Sequence, residues 1–196
     1  MTQKADAADS PWTPREAELL SVTLCLLQEH GYDRLTVDAV ANTARASKAT
    51  VYRRWPTKAE LVLAAFIEGT RQVAVAPNTG ALRSDLVALG EQVRAHAGLH
   101  ASTMRAVLVE VSRNDALNAV MQSQFIEERK AVVDGILGQA VERGEIEAAA
   151  VNEDLWDLLP GYLVFRTILA GRPTTSGTVQ TLVDEVVLPS LTRSVG

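Results

Sequence analysis

Between Ala39 and Ala59 the chain carries five basic side chains, Arg45, Lys48, Arg53, Arg54 and Lys58, and no acidic one. The 196 residues together have a formal net charge of −5, so this stretch is +5 on a remainder of −10. A compact positive patch on an acidic body suggests a local anion site on a surface that repels anions elsewhere. The chemistry on offer is electrostatic recognition of phosphate.

Other chemistry is poorly supplied. Serine, histidine and aspartate are present, but with no nucleophile-elbow or other catalytic spacing. Glu127 and Glu128 are adjacent, so they point to different parts of a helix. His96 and His100 have a metal-ligand spacing, yet Gly98 lies between them and no carboxylate or cysteine supports them. Cys25, the one cysteine, cannot form an internal disulfide; among Leu24, Leu26 and Leu27 it reads as a small buried hydrophobe. No enzyme, metal site or cofactor is expected.

The elements that must hold the basic patch read as helices, and the fold class as all-α. Apolar residues recur at i, i+3, i+4 and i+7, with no convincing alternation of period two. Residues 1–10 read as a flexible tail. Thr13-Pro14-Arg15-Glu16 is a capping box with proline at the first helical position, and Gly31 is placed to end that helix. Thr36 caps a short second helix with Val37, Val40, Ala41 and Ala44 inward. After a break at Arg45-Ala46-Ser47, Ser47 caps a third from Lys48 to Trp55, with Val51 and Trp55 buried. Pro56 stops it, and Thr57-Lys58-Ala59-Glu60 opens a fourth toward Val75.

Beyond Pro77, helices are expected over Leu82–Ala97, Ser102–Arg113 and Ala116–Arg143, then from Asn152-Glu153-Asp154 to near Gly171. A last stripe runs through Val179, Leu182, Val183, Val186, Val187 and Leu191. The expected division is 11–57 as a helix-turn-helix domain with its motif at about 36–55, 58–77 as a connecting helix, and 78–196 as a regulatory and dimerisation domain. Charged residues at 22% and hydrophobic ones at 47% suit a soluble globular protein. With no membrane-length apolar run or signal peptide in the sequence, the cytoplasm is the expected location.

Two short helices joined by a three-residue break, behind a helix to pack on, have the layout of a helix-turn-helix. The second helix must turn an apolar face to its partner and a polar or small face to the major groove. The run Arg45-Ala46-Ser47-Lys48-Ala49-Thr50-Val51-Tyr52-Arg53-Arg54-Trp55-Pro56-Thr57-Lys58 resembles the recognition helix and fourth-helix start of the tetracycline-repressor (TetR) family of bacterial transcription regulators. Gly31-Tyr32 and Thr36-Val37-Asp38-Ala39-Val40-Ala41 are similar to that family as well. Arg45 and Ala49 depart from it, since both positions are often glycine there.

The resemblance implies a DNA interface. Lys48, Ala49 and Thr50 would face base edges or nearby phosphates, Tyr52 would donate to a phosphate, and Arg53 and Arg54 would contact backbone or a base. Lys58 would bind a flanking phosphate, while Thr36 and Ser47 cap their helices and share a phosphate. It also implies a palindromic double-stranded operator, repression, and a small-molecule effector in the C-terminal body. Met104, Met121, Phe125, Trp156, Phe165 and Arg166 are candidate lining for that effector. Arg166, a charge on an apolar helix, needs an acid across an interface or an anionic ligand.

Leu155 to Leu169 is apolar nearly all round, so it needs burial on more than one side. A homodimer through about 153–171 and 178–192 would supply it, as two helices per subunit in a four-helix bundle. An effector that shifts the helix from Thr57 to Val75 would change the spacing of two recognition helices. The competing reading is a helical small-molecule-binding or scaffold protein without DNA function.

Overall fold

The computed structural model describes residues 11–71, 75–151 and 157–192; they are helical, with no strand among them. Trp156 and the expected helix start at Asn152-Glu153-Asp154 lie outside the described residues. No described helix is long and apolar enough to cross a membrane.

The first packed unit, Met1–Val73 with Ser102–Phe125, begins with α1 (Pro14–Arg34). Thr13 Oγ1 accepts from Glu16 N at 3.3 Å, and Glu16 Oε2 accepts from Thr13 N at 2.8 Å, completing the capping box. Gly31, with φ 77°, kinks the helix instead of ending it. One more turn follows, closed by Leu35 N donating to the carbonyls of Gly31 and Tyr32.

Three shorter helices follow: α2 (Val37–Thr43), α3 (Lys48–Arg54) and α4 (Lys58–Arg71). Val75 lies outside any helix and is exposed. Every residue from Leu61 to Ile67 on α4 is buried, since α1 packs along it and α7 (Asp115–Met121) also meets it. A Cβ on Gly69 would lie 2.2 Å from Leu24 Cδ2, so α4 and α1 approach closely there. Phe66 stacks on Phe125 with centroids 5.1 Å apart. The helix α6 (Ala101–Val111) completes the unit. The close-packed units therefore do not follow chain order, because Ser102–Phe125 joins the first.

The second unit, Ala74–Ala101 with Ile126–Gly196, holds α5 (Leu82–Leu99), α8 (Glu127–Glu142), α9 (Leu158–Val164), α10 (Ser176–Leu182) and α11 (Leu188–Thr192). π-type turns interrupt the helical register at Gln122–Ile126, Phe165–Leu169 and Val183–Val187. Leu86, Ile136, Leu163, Val179, Val183 and Leu191 sit at the centre of the core. The N-terminus of α5 has no side-chain cap from Ala81, and Glu145 replaces it by accepting from Leu82 N at 2.7 Å. Fully buried Asp85 accepts from Thr79 N at 2.6 Å and from Arg143 Nη2 at 3.1 Å. A cavity of ≈ 10 Å³ lined by Leu86, Leu89, Val133, Leu137, Leu159 and neighbours has room for about one water.

Candidate nucleic-acid interface

The break between α2 and α3 is a tight reversal. Ala46 N donates to Ala41 O at 2.8 Å and Arg45 N to Asn42 O at 3.1 Å. These two bonds form a Schellman closure, whose penultimate residue must be left-handed. Arg45 holds that place with φ 50°, the one non-glycine residue with positive φ among those described. Arg15, from the first turn of α1, donates Nη2 to Ala44 O at 2.6 Å and Arg45 O at 3.0 Å. It satisfies carbonyls that the end of α2 leaves open. Sequence reasoning missed this role, because nothing local ties residue 15 to residues 44 and 45.

The caps stand as expected. Thr36 Oγ1 accepts from Ala39 N at 3.1 Å, and Ser47 Oγ accepts from Thr50 N at 3.1 Å while sharing a 2.8 Å hydrogen bond with the Thr50 hydroxyl. Val51 and Trp55 are buried. Ala49, Tyr52 and Arg53 are exposed, and Arg53 makes no hydrogen bond or ion pair among the described residues. Tyr52, at 46% exposure, is a surface residue rather than core. One side of a two-turn helix is thus apolar and packed, and the other is small, hydroxylated and cationic.

Lys48, Lys58 and Arg54 are each held by an internal partner. Lys48 Nζ lies 2.5 Å from Asp38 Oδ2, both side chains being more than half exposed. Lys58 Nζ sits 4.3 Å from the centre of the Tyr32 ring and 3.5 Å from Asp33 O. Burial, then the Glu110 carboxylate, push the Tyr32 hydroxyl up to about 12, so it stays protonated. Arg54 is engaged twice within the chain: its Nε donates to Glu16 Oε1 at 2.8 Å and its guanidinium lies 4.7 Å over the Trp12 ring. Hydrogen bonds from Thr13 N and Oγ1, joined by that from Arg54, outweigh burial and hold the Glu16 carboxyl below its ordinary range.

The expected effector lining is divided between the two units. Met104, Met121 and Phe125 belong to the first unit and Phe165 and Arg166 to the second, and none of them lines the cavity described above. Met121 is buried, and Phe125 stacks on Phe66. Within its own unit Arg166 is met by two neutral acceptors. Its Nε donates to Pro173 O at 3.2 Å and its Nη1 to Tyr162 Oη at 3.2 Å, at the surface where charge stays hydrated.

Cys25 corrects another expectation. It is exposed, with Sγ 3.5 Å from Glu29 Oε1, because it falls off the buried stripe of Leu20, Thr23 and Leu27. His96 Nδ1 bonds Gln92 O at 2.9 Å, and burial, then His96, lower the pKa of His100. No group of three potential metal ligands occurs among the described residues.

Comparison with known proteins agrees with this geometry. The family model for "Bacterial regulatory proteins, tetR family" matches residues 19–65, and that for "Tetracyclin repressor-like, C-terminal domain" matches 76–186. An uncharacterized HTH-type transcriptional regulator of Mycobacterium tuberculosis is 70% identical over 198 residues, covering 100% of this chain and 98% of that protein. The DNA-binding transcriptional repressor TetR of Mycobacteroides abscessus is 34% identical, covering 89% and 92%. Among solved structures, TetR family transcription regulator SCO0332 aligns with a TM-score of 0.76 at 25% identity, covering 89% of this chain and 97% of that one.

Proposed function

The chain belongs to the tetracycline-repressor family of helix-turn-helix transcription regulators, which are not enzymes, and from that premise we propose that it is a homodimeric repressor, released from a palindromic operator by a small-molecule effector. Its site of action is the cytoplasm, where such DNA lies. The outward face of α3 carries this reading: Ala49, Tyr52 and Arg53 are exposed while Val51 and Trp55 anchor the opposite side. Lys48, Ala49 and Thr50 enter the major groove first, Tyr52 and Arg53 follow, and Lys58 takes a flanking phosphate. The α2 N-terminus under Thr36 and the α3 N-terminus under Ser47 add amide donors. The relative named as a repressor supports repression rather than activation.

Two symmetry-related copies are needed, because one seven-residue helix offers too few base contacts for operator specificity. Tyr162, Phe165 and Leu169, spaced i, i+3 and i+7, remain exposed beside buried Leu159, Leu163 and Ile168, and Val186 is exposed on the last helical segment. These side chains form the proposed subunit contact. The second unit's ≈ 10 Å³ cavity is too small for an organic molecule, so the effector site lies elsewhere in the helical body or forms as the effector enters.

Binding to the DNA upstream of its own gene, measured at several salt concentrations, tests the reading. Each phosphate contact contributes about 0.9 to the slope of log affinity against log salt. Lys48→Ala, Tyr52→Phe and Lys58→Ala combined should abolish specific binding and flatten the slope by about 4, two lysines being lost from each of two subunits. Full affinity in that triple variant would show that α3 is not the reading helix.

A further inference from the structure

Building on that reading, we propose that Arg54 is not a DNA contact but a positioning residue, which locks the C-terminal end of the recognition helix to the start of α1. Three observations separate Arg54 from its neighbours. Its guanidinium is engaged twice, by Glu16 Oε1 at 2.8 Å and by the face of Trp12 at 4.7 Å. Its acid is itself anchored: Glu16 Oε2 accepts from Thr13 N at 2.8 Å and from Thr13 Oγ1 at 2.9 Å, and Glu16 is 22% exposed. Trp12, beneath the guanidinium, packs on Trp55 with centroids 5.7 Å apart and planes at 47°. Trp55 is the C-cap of α3 and almost fully buried.

Arg54 is therefore the outer member of a Glu16–Arg54–Trp12–Trp55 stack that spans residues 12 to 55. Turning it toward a phosphate would strip Glu16 of its cation and uncover Trp12. The Lys48–Asp38 pair has no such support, being a single contact between two side chains more than half exposed. Successive helical residues lie about 100° apart around the axis. Holding Arg54 against α1 consequently aims Arg53 away from α1, where it is exposed and unpaired among the described residues. The acid that a free DNA-binding arginine would be better without is here part of the reading apparatus.

The test uses the full chain, a duplex recovered by the wild type from a random pool, and a scrambled duplex of equal length. Arg54→Met and Glu16→Gln should each lower the preference for the selected duplex by about tenfold, since misaimed base contacts cost roughly one mismatch. Both should leave the salt slope on the scrambled duplex at its wild-type value, whereas Arg53→Met lowers it by about 2, one contact from each subunit. Near-ultraviolet circular dichroism of the tryptophans should change in Arg54→Met and not in Arg53→Met. Far-ultraviolet melts identify any variant that does not fold, and the isosteric Glu16→Gln then carries the result.

A Glu16→Gln chain that binds DNA more tightly, an Arg54→Met slope lower by about 2, or an unchanged preference in both variants would overturn the assignment. A wild-type chain that recovers no duplex from the pool defeats the regulator reading itself, which is a separate outcome.

Discussion

At the level of single residues, the proposed DNA contact of Lys48 requires it to leave Asp38. The pair is exposed, so its separation costs at most about 1 kcal/mol. Asp38→Asn should therefore raise DNA affinity by about twofold to fivefold at low ionic strength, with the gain fading as salt screens the pair. Unchanged affinity in a titration by fluorescence anisotropy would mean that Lys48 stays clear of the duplex. Arg45 is the opposite case, held in a left-handed conformation that costs a non-glycine residue about 1 kcal/mol. Arg45→Gly relieves that strain but frees more of the unfolded chain, so the net gain is several tenths of a kcal/mol, about 1–2 °C in Tm. A lower Tm in a calorimetric scan would show that the Arg45 side chain contributes more than its backbone costs. The left-handed backbone at Arg45 was signalled only by the glycine that the family often has at this position. The commitments of Arg54 and Arg15 left no signal, because each meets partners about thirty or more residues away in the chain.

At the level of elements, what the sequence announced was helix starts. Thr13, Thr36, Ser47 and Thr57 each accept the backbone amide three residues on, because a hydroxyl at an N-cap satisfies an orphan donor wherever the helix packs. Helix interiors were less legible. A π-type turn adds one residue to the turn without changing composition, so those at Gln122–Ile126, Phe165–Leu169 and Val183–Val187 left no local mark. Close approach between helices is equally silent in sequence and shows in two glycines. A Cβ on Gly90 of α5 would fall 2.5 Å from Cγ1 of Val179, which is fully buried and β-branched. Gly138 of α8 has nothing within 4 Å of the same position. Alanine gains about 1 kcal/mol of helix propensity at both sites. At Gly90 overpacking removes about 1–3 kcal/mol, so Gly90→Ala should lower stability while Gly138→Ala raises it by about 0.5–1 kcal/mol. Opposite signs in urea midpoints check the pair. Equal gains would show that α5 and α10 can separate without loss.

At the level of the whole molecule, the acidic remainder of the chain and the apolar stripe that runs from α9 through Phe165–Leu169 act on the same question, namely how a seven-residue helix acquires a specific target. Net −10 outside the basic segment weakens non-specific attraction to DNA, so in the proposed complex affinity comes from two recognition helices presented together. The stripe supplies the means. Tyr162, Phe165 and Leu169 are 41%, 57% and 68% exposed, an amount of apolar surface that one copy leaves in water and two copies can bury. In a two-fold contact the same patch occurs on both sides, so one acidic substitution places two like charges close to the axis. Phe165→Glu combined with Leu169→Glu should leave the thermal melt of each subunit nearly unchanged, because neither side chain belongs to its core. The same pair should give monomers in sedimentation velocity and weaken operator binding by about 100-fold or more, as the second half-site becomes an independent encounter. A variant that still sediments as a dimer would move the subunit contact to another face, and a monomer with undiminished operator affinity would end the requirement for two copies.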